Sequence, residues 1–305
     1  MAVLYVGRMR FGLVGTGYWA QVTHAPALAR TEGTELAAVW GRNPLAAAEL
    51  AAEYGATPYH DVSEFLAGID AVSFAVPPDV QEPIATQAAR EGKHLLLEKP
   101  VALTEAAADG LVEAVEQAGV ASVVFFTQRF LPDVRAWLAE VHDRGGWTGG
   151  VSAWLGSALQ ESNPFNTPWR RDKGGLWDVG PHVVSLLWAS LGPVTSVTAD
   201  FGPADVTHLV LHHQGGATSM TTVTLSATTA ASCSEAYVWG ESGRLFAPLG
   251  SVDSVAALSA ALSDLVANAR AGQTRHPCDV WFGRDVGRVL AEAQRQLDAR
   301  RAGFA

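Results

Sequence analysis

"RFGLVGTGYWA", residues 10–20, decides how this chain folds. Phe11, Leu13 and Val14 make a short run that is apolar almost without interruption, the pattern of a strand buried on both faces. The run passes directly into Gly15-Thr16-Gly17-Tyr18-Trp19-Ala20, a G-x-G-x-x-A loop that opens a helix. The first glycine allows the tight turn and the second lets backbone approach a pyrophosphate. A small third residue lets helix and strand pack closely, while the helix N-terminus offers unpaired N–H groups to the anion. After a strand, before a helix and near the start of a βαβ unit, the motif predicts a dinucleotide site.

Working outward, "ELAAVWG" (35–41), "DAVSFAV" (70–76), "KHLLLE" (93–98) and "SVVFF" (122–126) repeat the buried-strand pattern. Ala-rich helical stretches at 17–31, 44–54, 80–92 and 104–118 separate them. Repeated βα units predict a parallel, doubly wound Rossmann sheet over residues 1–127. Residues 1–8 precede the first convincing strand and read as a possible extension outside the fold.

The second strand informs on the cofactor. A site for NAD commonly ends this strand in a carboxylate that accepts from the ribose hydroxyls. Here the strand ends Trp40-Gly41-Arg42-Asn43, with a guanidinium where a 2′-phosphate would lie. Arginine binds phosphate through a planar fork of donors, so NADP(H) is expected over NAD(H).

Beyond residue 148 the pattern changes to period-two alternation. "VTSVTADF" (194–201), "DVTHLVLHH" (205–213), "ATSMTTVTLSAT" (217–228) and "SEAYVWG" (234–240) read as antiparallel strands, with Gln214-Gly215-Gly216 as a hairpin turn. Residues 252–270 and 281–301 read as amphipathic helices. A second domain, 128–305, is therefore expected to hold a mostly antiparallel sheet covered by helices on one face. His212 and His213 are adjacent on a strand and should point to opposite faces, which argues against a shared metal.

The chain of 305 residues is long enough for these two domains. Its net charge of −10 gives no electrostatic footprint for nucleic acid or an anionic membrane. Cys233 and Cys278 lie far apart and outside any CxxC or Cys/His cluster, so neither a disulfide frame nor a metal site is expected. No apolar run approaches the ~20 residues of a membrane span, and the N-terminus lacks a signal-peptide pattern. The expectation is a soluble cytoplasmic protein.

"GGLWDVGPHV", residues 174–183, places Asp178 and His182 four residues apart at a helix start. A histidine suits proton exchange with a substrate oxygen because its ordinary pKa lies near neutrality. Asp178 reads as either a helix cap or a carboxylate that orients the imidazole. Lys99, at the C-terminal end of a parallel strand, stands where open α/β sheets bind ligands, and Pro100 biases it toward extended backbone.

Glu98-Lys99-Pro100, together with the glycine loop, Gln128-Arg129-Phe130, Trp169-Arg170, the 174–183 stretch and the closing "FGRDVGRVLAEAQRQL", resembles the Gfo/Idh/MocA oxidoreductase family. The resemblance covers the chain from Arg10 onward. It implies a hydride transfer between NAD(P)(H) and a sugar, inositol or related cyclic polyol or keto-sugar, with no metal. Lys99, Asp178 and His182 would be catalytic. Gly15, Thr16, Gly17, Tyr18, Trp19, Arg42, Asn43, Val76, Pro77, Glu98, Lys99, Arg129, Trp169 and Arg170 would line the cofactor. It also implies a homodimer or homotetramer formed through the open face of the C-terminal sheet. Two positions depart from the family pattern and bear on substrate class: Gln81 stands where a histidine is usual, and Ser185 where many members have aspartate. A glycosidase of the same family using tightly held NAD, or a non-catalytic dinucleotide-binding regulator, are the alternatives.

Overall fold

The computed structural model describes residues 7–250 and 252–304. The possible extension at 1–8 lies largely outside the described residues. The chain divides into two compact units. One comprises the chain through Phe130 joined by Asp253–Asp285; the other comprises Leu131–Val252 joined by the chain from Val286.

The first unit is built on β1 (Met9–Val14), β2 (Thr34–Trp40), β3 (Thr57–Tyr59), β4 (Ala71–Phe74), β5 (His94–Leu97) and β6 (Ser122–Val124). All pairings are parallel, in the order β3-β2-β1-β4-β5-β6. Strand order reverses between β1 and β4, and ligands of such sheets bind at the C-terminal ends of those strands. The connecting helices are α1 (Ala25–Arg30), α2 (Pro44–Tyr54), α3 (Val62–Ala67), α4 (Pro78–Arg90) and α5 (Glu105–Ala118). β3 and α3 are absent from the sequence reading. "TPY" is too short and too exposed to give a periodic signal.

The helix after the glycine loop carries a π-turn over Ala20–His24, in which Ala25 N–H reaches back to Ala20 O. Pro26 follows at once and has no N–H to continue the ordinary ladder. The wider turn carries His24 into the interior, where it is fully buried.

A single boundary at 127/128 does not describe the chain, because α9 (Ser254–Ala271) returns to the first unit. Ala257, Leu258, Ala261, Leu262 and Leu265 form its fully buried stripe. The spacing is that of one helical face, and each leucine removed from water stabilises by roughly 1.5–3 kcal/mol. Thr23 and Ser254 hydroxyls bond at 2.9 Å, and Val124 N–H donates to Cys278 O at 2.6 Å. The return is thus tied to both the first helix and the last strand.

The second unit holds α6 (Pro132–Arg144), β7 (Trp147–Leu155), α7 (Pro168–Asp178), α8 (Gly180–Leu191), β8 (Val194–Phe201), β9 (Thr207–His213), β10 (Thr218–Thr224), β11 (Cys233–Gly240) and β12 (Gly243–Phe246). The order is β12-β11-β7-β10-β9-β8, antiparallel except for β7 with β10. β7 is missing from the sequence reading because its glycine pair, Gly149-Gly150, interrupts the alternation. The hairpin at 214–216 forms as expected, and His213 is buried while His212 is exposed. His213 bonds Gly192 O and Ser219 Oγ, each at 2.8 Å. α10 (Val280–Phe304) ends the described chain.

Both cysteines are free thiols. Among the described residues no helix is long and apolar enough to cross a membrane.

Candidate active site

In the first unit, the residues expected at a dinucleotide converge at the switch point. Gly15 has φ +123°, and a Cβ there would lie 2.5 Å from Ala75 O and 3.1 Å from Val76 Cγ1. Only glycine lets the loop after β1 pass so close to the loop after β4. A Cβ on Gly17 would meet nothing within 4 Å, so the second glycine borders open space, as a backbone that approaches a pyrophosphate requires. Thr16 packs toward Gly41, whose Cβ would fall 2.7 Å from Thr16 Cγ2. The β1, β2 and β4 loops therefore close around one cradle, and the residues present fit a dinucleotide. Arg42 is exposed at the end of β2. Asn43 Oδ1 accepts from Leu45 N and Ala46 N and caps α2.

Trp19 is linked to the other motif of this unit. Its indole N–H donates to Glu98 Oε1 at 2.7 Å, and His24 Nε2 lies 3.3 Å from the same oxygen. His24 Nδ1 is 2.9 Å from Ser73 Oγ. Glu98 Oε2 accepts from Lys99 N at 3.2 Å. The carboxylate expected to line the cofactor is thus a buried hub joining the glycine loop to the lysine that follows β5. Pro77 O accepts from Val80 N and Gln81 N, opening α4. Arg129, in a short turn at Thr127–Phe130, sets its guanidinium 5.6 Å from the centre of the Phe282 ring.

In the second unit, "GGLWDVGPHV" spans the junction of two helices and includes the start of the second. Gly174 (φ 64°) kinks α7, which ends at Asp178, and α8 begins at Gly180 with Pro181 in its first turn. No side chain caps α8, which removes the cap reading of Asp178. The carboxylate instead pairs with Arg170, Nε to Oδ2 at 2.8 Å, with both side chains largely shielded. Arg170 is placed in turn by the Phe165 ring, 5.1 Å from its guanidinium carbon. Half-buried Trp169 lies in the same first turn of α7.

His182 is 7% exposed, and its imidazole stacks on the Trp154 indole with centroids 5.0 Å apart and planes 26° apart. Ser185, on the next turn, donates its hydroxyl to His182 O at 2.9 Å. Trp154 lies on β7 and so escaped the sequence reading along with its strand.

Asp205 anchors this break from beside β9. Its carboxylate accepts from Gly175 N (2.9 Å), Leu225 N (2.7 Å), Ser226 N (3.2 Å) and Thr224 Oγ1 (2.5 Å). Burial alone would raise its pKa, but bonds from Thr224, Ser226, Leu225 and Gly175 outweigh it and hold the carboxyl below its ordinary range. The charge therefore persists and pins the kinked end of α7 to the end of β10.

Residues 9–126 match the model of the oxidoreductase family with an NAD-binding Rossmann fold (GFO_IDH_MocA), and residues 144–246 match the GFO/IDH/MocA C-terminal domain. The chain belongs to the Gfo/Idh/MocA family. An uncharacterized oxidoreductase of Synechocystis is 32% identical over 63% of this chain and 54% of its own length. The levoglucosan dehydrogenase of Pseudarthrobacter phenanthrenivorans is 31% identical over 52% of this chain and 43% of its own. The chain thus spans about half the length of these curated relatives. GenD2 from gentamicin A biosynthesis, solved in complex with NAD, superposes with a TM-score of 0.83 at 22% identity, covering 98% of this chain and 96% of that one. At that identity the likeness speaks for the fold.

Proposed function

We propose that this chain is an NADP(H)-preferring oxidoreductase that moves a hydride to or from the carbinol or carbonyl carbon of a sugar or related cyclic polyol. The observation that carries the reading is the Trp19–Glu98–Lys99 linkage. It builds a lysine into the edge of a dinucleotide cradle. The nicotinamide supplies the hydride chemistry when bound.

The protein's own groups handle the proton and the charge. His182 gives or takes the proton at the substrate oxygen, a task suited to an imidazole near neutral pH. Lys99, at the edge of the dinucleotide cradle, stabilises negative charge that develops on substrate as the hydride moves. Asp178 holds Arg170 and shapes the charge around the histidine. The preference for NADP(H) rests on Arg42 and on the absence of a carboxylate at the end of β2. The sugar class is supported by the name of the levoglucosan dehydrogenase relative.

The open face of the second sheet is the proposed contact between copies of the chain. Phe246, Tyr237, Val151, Met220, Val210 and Thr198 lie in one row across it, with Phe246 61% and Met220 54% exposed. An apolar stripe of this kind on a sheet face is a surface that association covers.

The test is a screen of sugars, anhydro-sugars, inositols and their keto forms with NADP(H) and NAD(H), followed by nicotinamide absorbance. Turnover of at least one, faster with NADP(H), is expected. Tight dinucleotide binding without turnover of any would overturn the enzymatic reading in favour of a regulator.

A further inference from the structure

β4 and β5 pair through Ser73 and Leu96, and β4 ends one residue later at Phe74. Leu97 O accepts from Phe125 N, on the β6 side. Alternation along a strand then turns the N–H and C=O of Glu98 toward the side that β4 has vacated. Two buried backbone groups would stand there without a strand to receive them, and such groups are costly to leave unmade.

Gln81 takes the place of the missing strand. It is 1% exposed in the first turn of α4. Its Oε1 accepts from Glu98 N at 2.7 Å and its Nε2 donates to Glu98 O at 2.8 Å. The same amide nitrogen lies 3.3 Å from Pro100 O and 3.4 Å from Val101 O. The side-chain amide thereby continues the sheet ladder for one residue and then gathers the carbonyls on both sides of Lys99. On the opposite side, the Glu98 carboxylate holds Lys99 N. The lysine backbone is gripped between the two.

We propose that Gln81 is a positioning residue for Lys99: its amide fixes the 98–101 main chain and so sets where the ammonium sits. The proposal rests on the reading of Lys99 as a catalytic group. It also gives Gln81 a role inside the first unit, where its departure from the family pattern reads in the sequence only as bearing on substrate class.

The experiment uses the full-length protein and a readout that needs no substrate. Lys99 is labelled by reductive methylation and followed by mass spectrometry, with Lys93 as the internal reference because its Nζ bonds Ile69 O in the same unit. Gln81→Leu should raise the Lys99-to-Lys93 labelling ratio by about threefold or more, as expected when a side chain loses a fixed setting. Gln81→His, whose ring carries one acceptor and one donor, should return the ratio to within about twofold of wild type. Should Gln81→Leu fail to fold, Gln81→Glu keeps the acceptor for Glu98 N–H and removes the donor; it must show the same rise.

An unchanged ratio in the folded variants, whatever their melting temperature, overturns the proposal. Turnover separates it from the function on which it rests. Gln81→Leu should lower kcat about tenfold with KM within about twofold, since misplacing a reacting group costs rate more than binding. Wild-type turnover in Lys99→Met would refute the role of Lys99, while the labelling ratio would still decide whether Gln81 positions it.

Discussion

The two units hold the side chains proposed for the chemistry in opposite ways. In the first, Lys99 is set by its own backbone, through the Gln81 amide and the Glu98 carboxylate, inside a strand end that the sheet order already fixes. In the second, His182 is set by its ring, stacked on Trp154, beside a helix break that the Asp205 carboxylate pins in place. Backbone anchoring tolerates change in the side chain it presents. Ring stacking and a buried anion tolerate little change in the partners they use. Variants should therefore fail differently in the two units.

The largest effect is expected at the chemistry itself. His182→Ala should lower turnover about a thousandfold or more while NADPH affinity, measured by fluorescence titration, stays within about twofold. Undiminished turnover would break the assignment of roles and with it the comparison.

Next comes Asp205→Ala, which strips four donors of one acceptor and should cost about 3 kcal/mol in denaturant unfolding. Its pH dependence has a defined sign. The folded-state carboxyl lies below its unfolded value, so its stabilisation is full above the unfolded carboxyl range and disappears as pH falls through the folded value. Asp205→Asn should flatten that acid limb. His94, in the first unit, and His213, in the second, are both lowered from 6.5, chiefly by burial. Each favours the neutral ring in the folded state, so stability contributed above 6.5 is lost on acidification toward the lower folded values. A melting series from pH 7.5 to 3 should show the imidazole losses first and the Asp205 loss later.

Arg42→Ala should weaken NADPH about tenfold and NADH less than twofold, the difference expected for one charge-assisted phosphate contact. Equal losses would show that the guanidinium does not read the 2′-phosphate. The smallest effect is expected for Trp154→Phe, which keeps an aromatic face and should hold turnover within about threefold, whereas Trp154→Leu should cost about tenfold. Parity of the two variants would mean that the stack does not set the imidazole.

The same contrast explains what the sequence disclosed. The glycine loop, the parallel buried strands apart from β3, and Glu98-Lys99-Pro100 were legible because local pattern and fold agree there: glycines, buried runs and a strand-end lysine each occupy a contiguous stretch. Asp178 was harder. It stands four residues before His182 across the junction of α7 and α8, but its ion pair is with Arg170, eight residues back, and no local pattern marks that pairing. Trp154 and Asp205 gave no local signal, and Gln81 stood out only as a departure from the family pattern. Each acts on a residue far along the chain, through a contact that the fold alone creates.

The return of residues 253–285 to the first unit carries a consequence for how the molecule comes into being. A ribosome releases the six parallel strands of the dinucleotide unit early, but the helix that covers them, with its stripe from Ala257 to Leu265, emerges only after the whole second sheet. The first unit to be begun is therefore completed only after the second sheet has been made. Until α9 arrives, the nascent chain presents an uncovered apolar surface, the condition under which chaperones engage and aggregation competes.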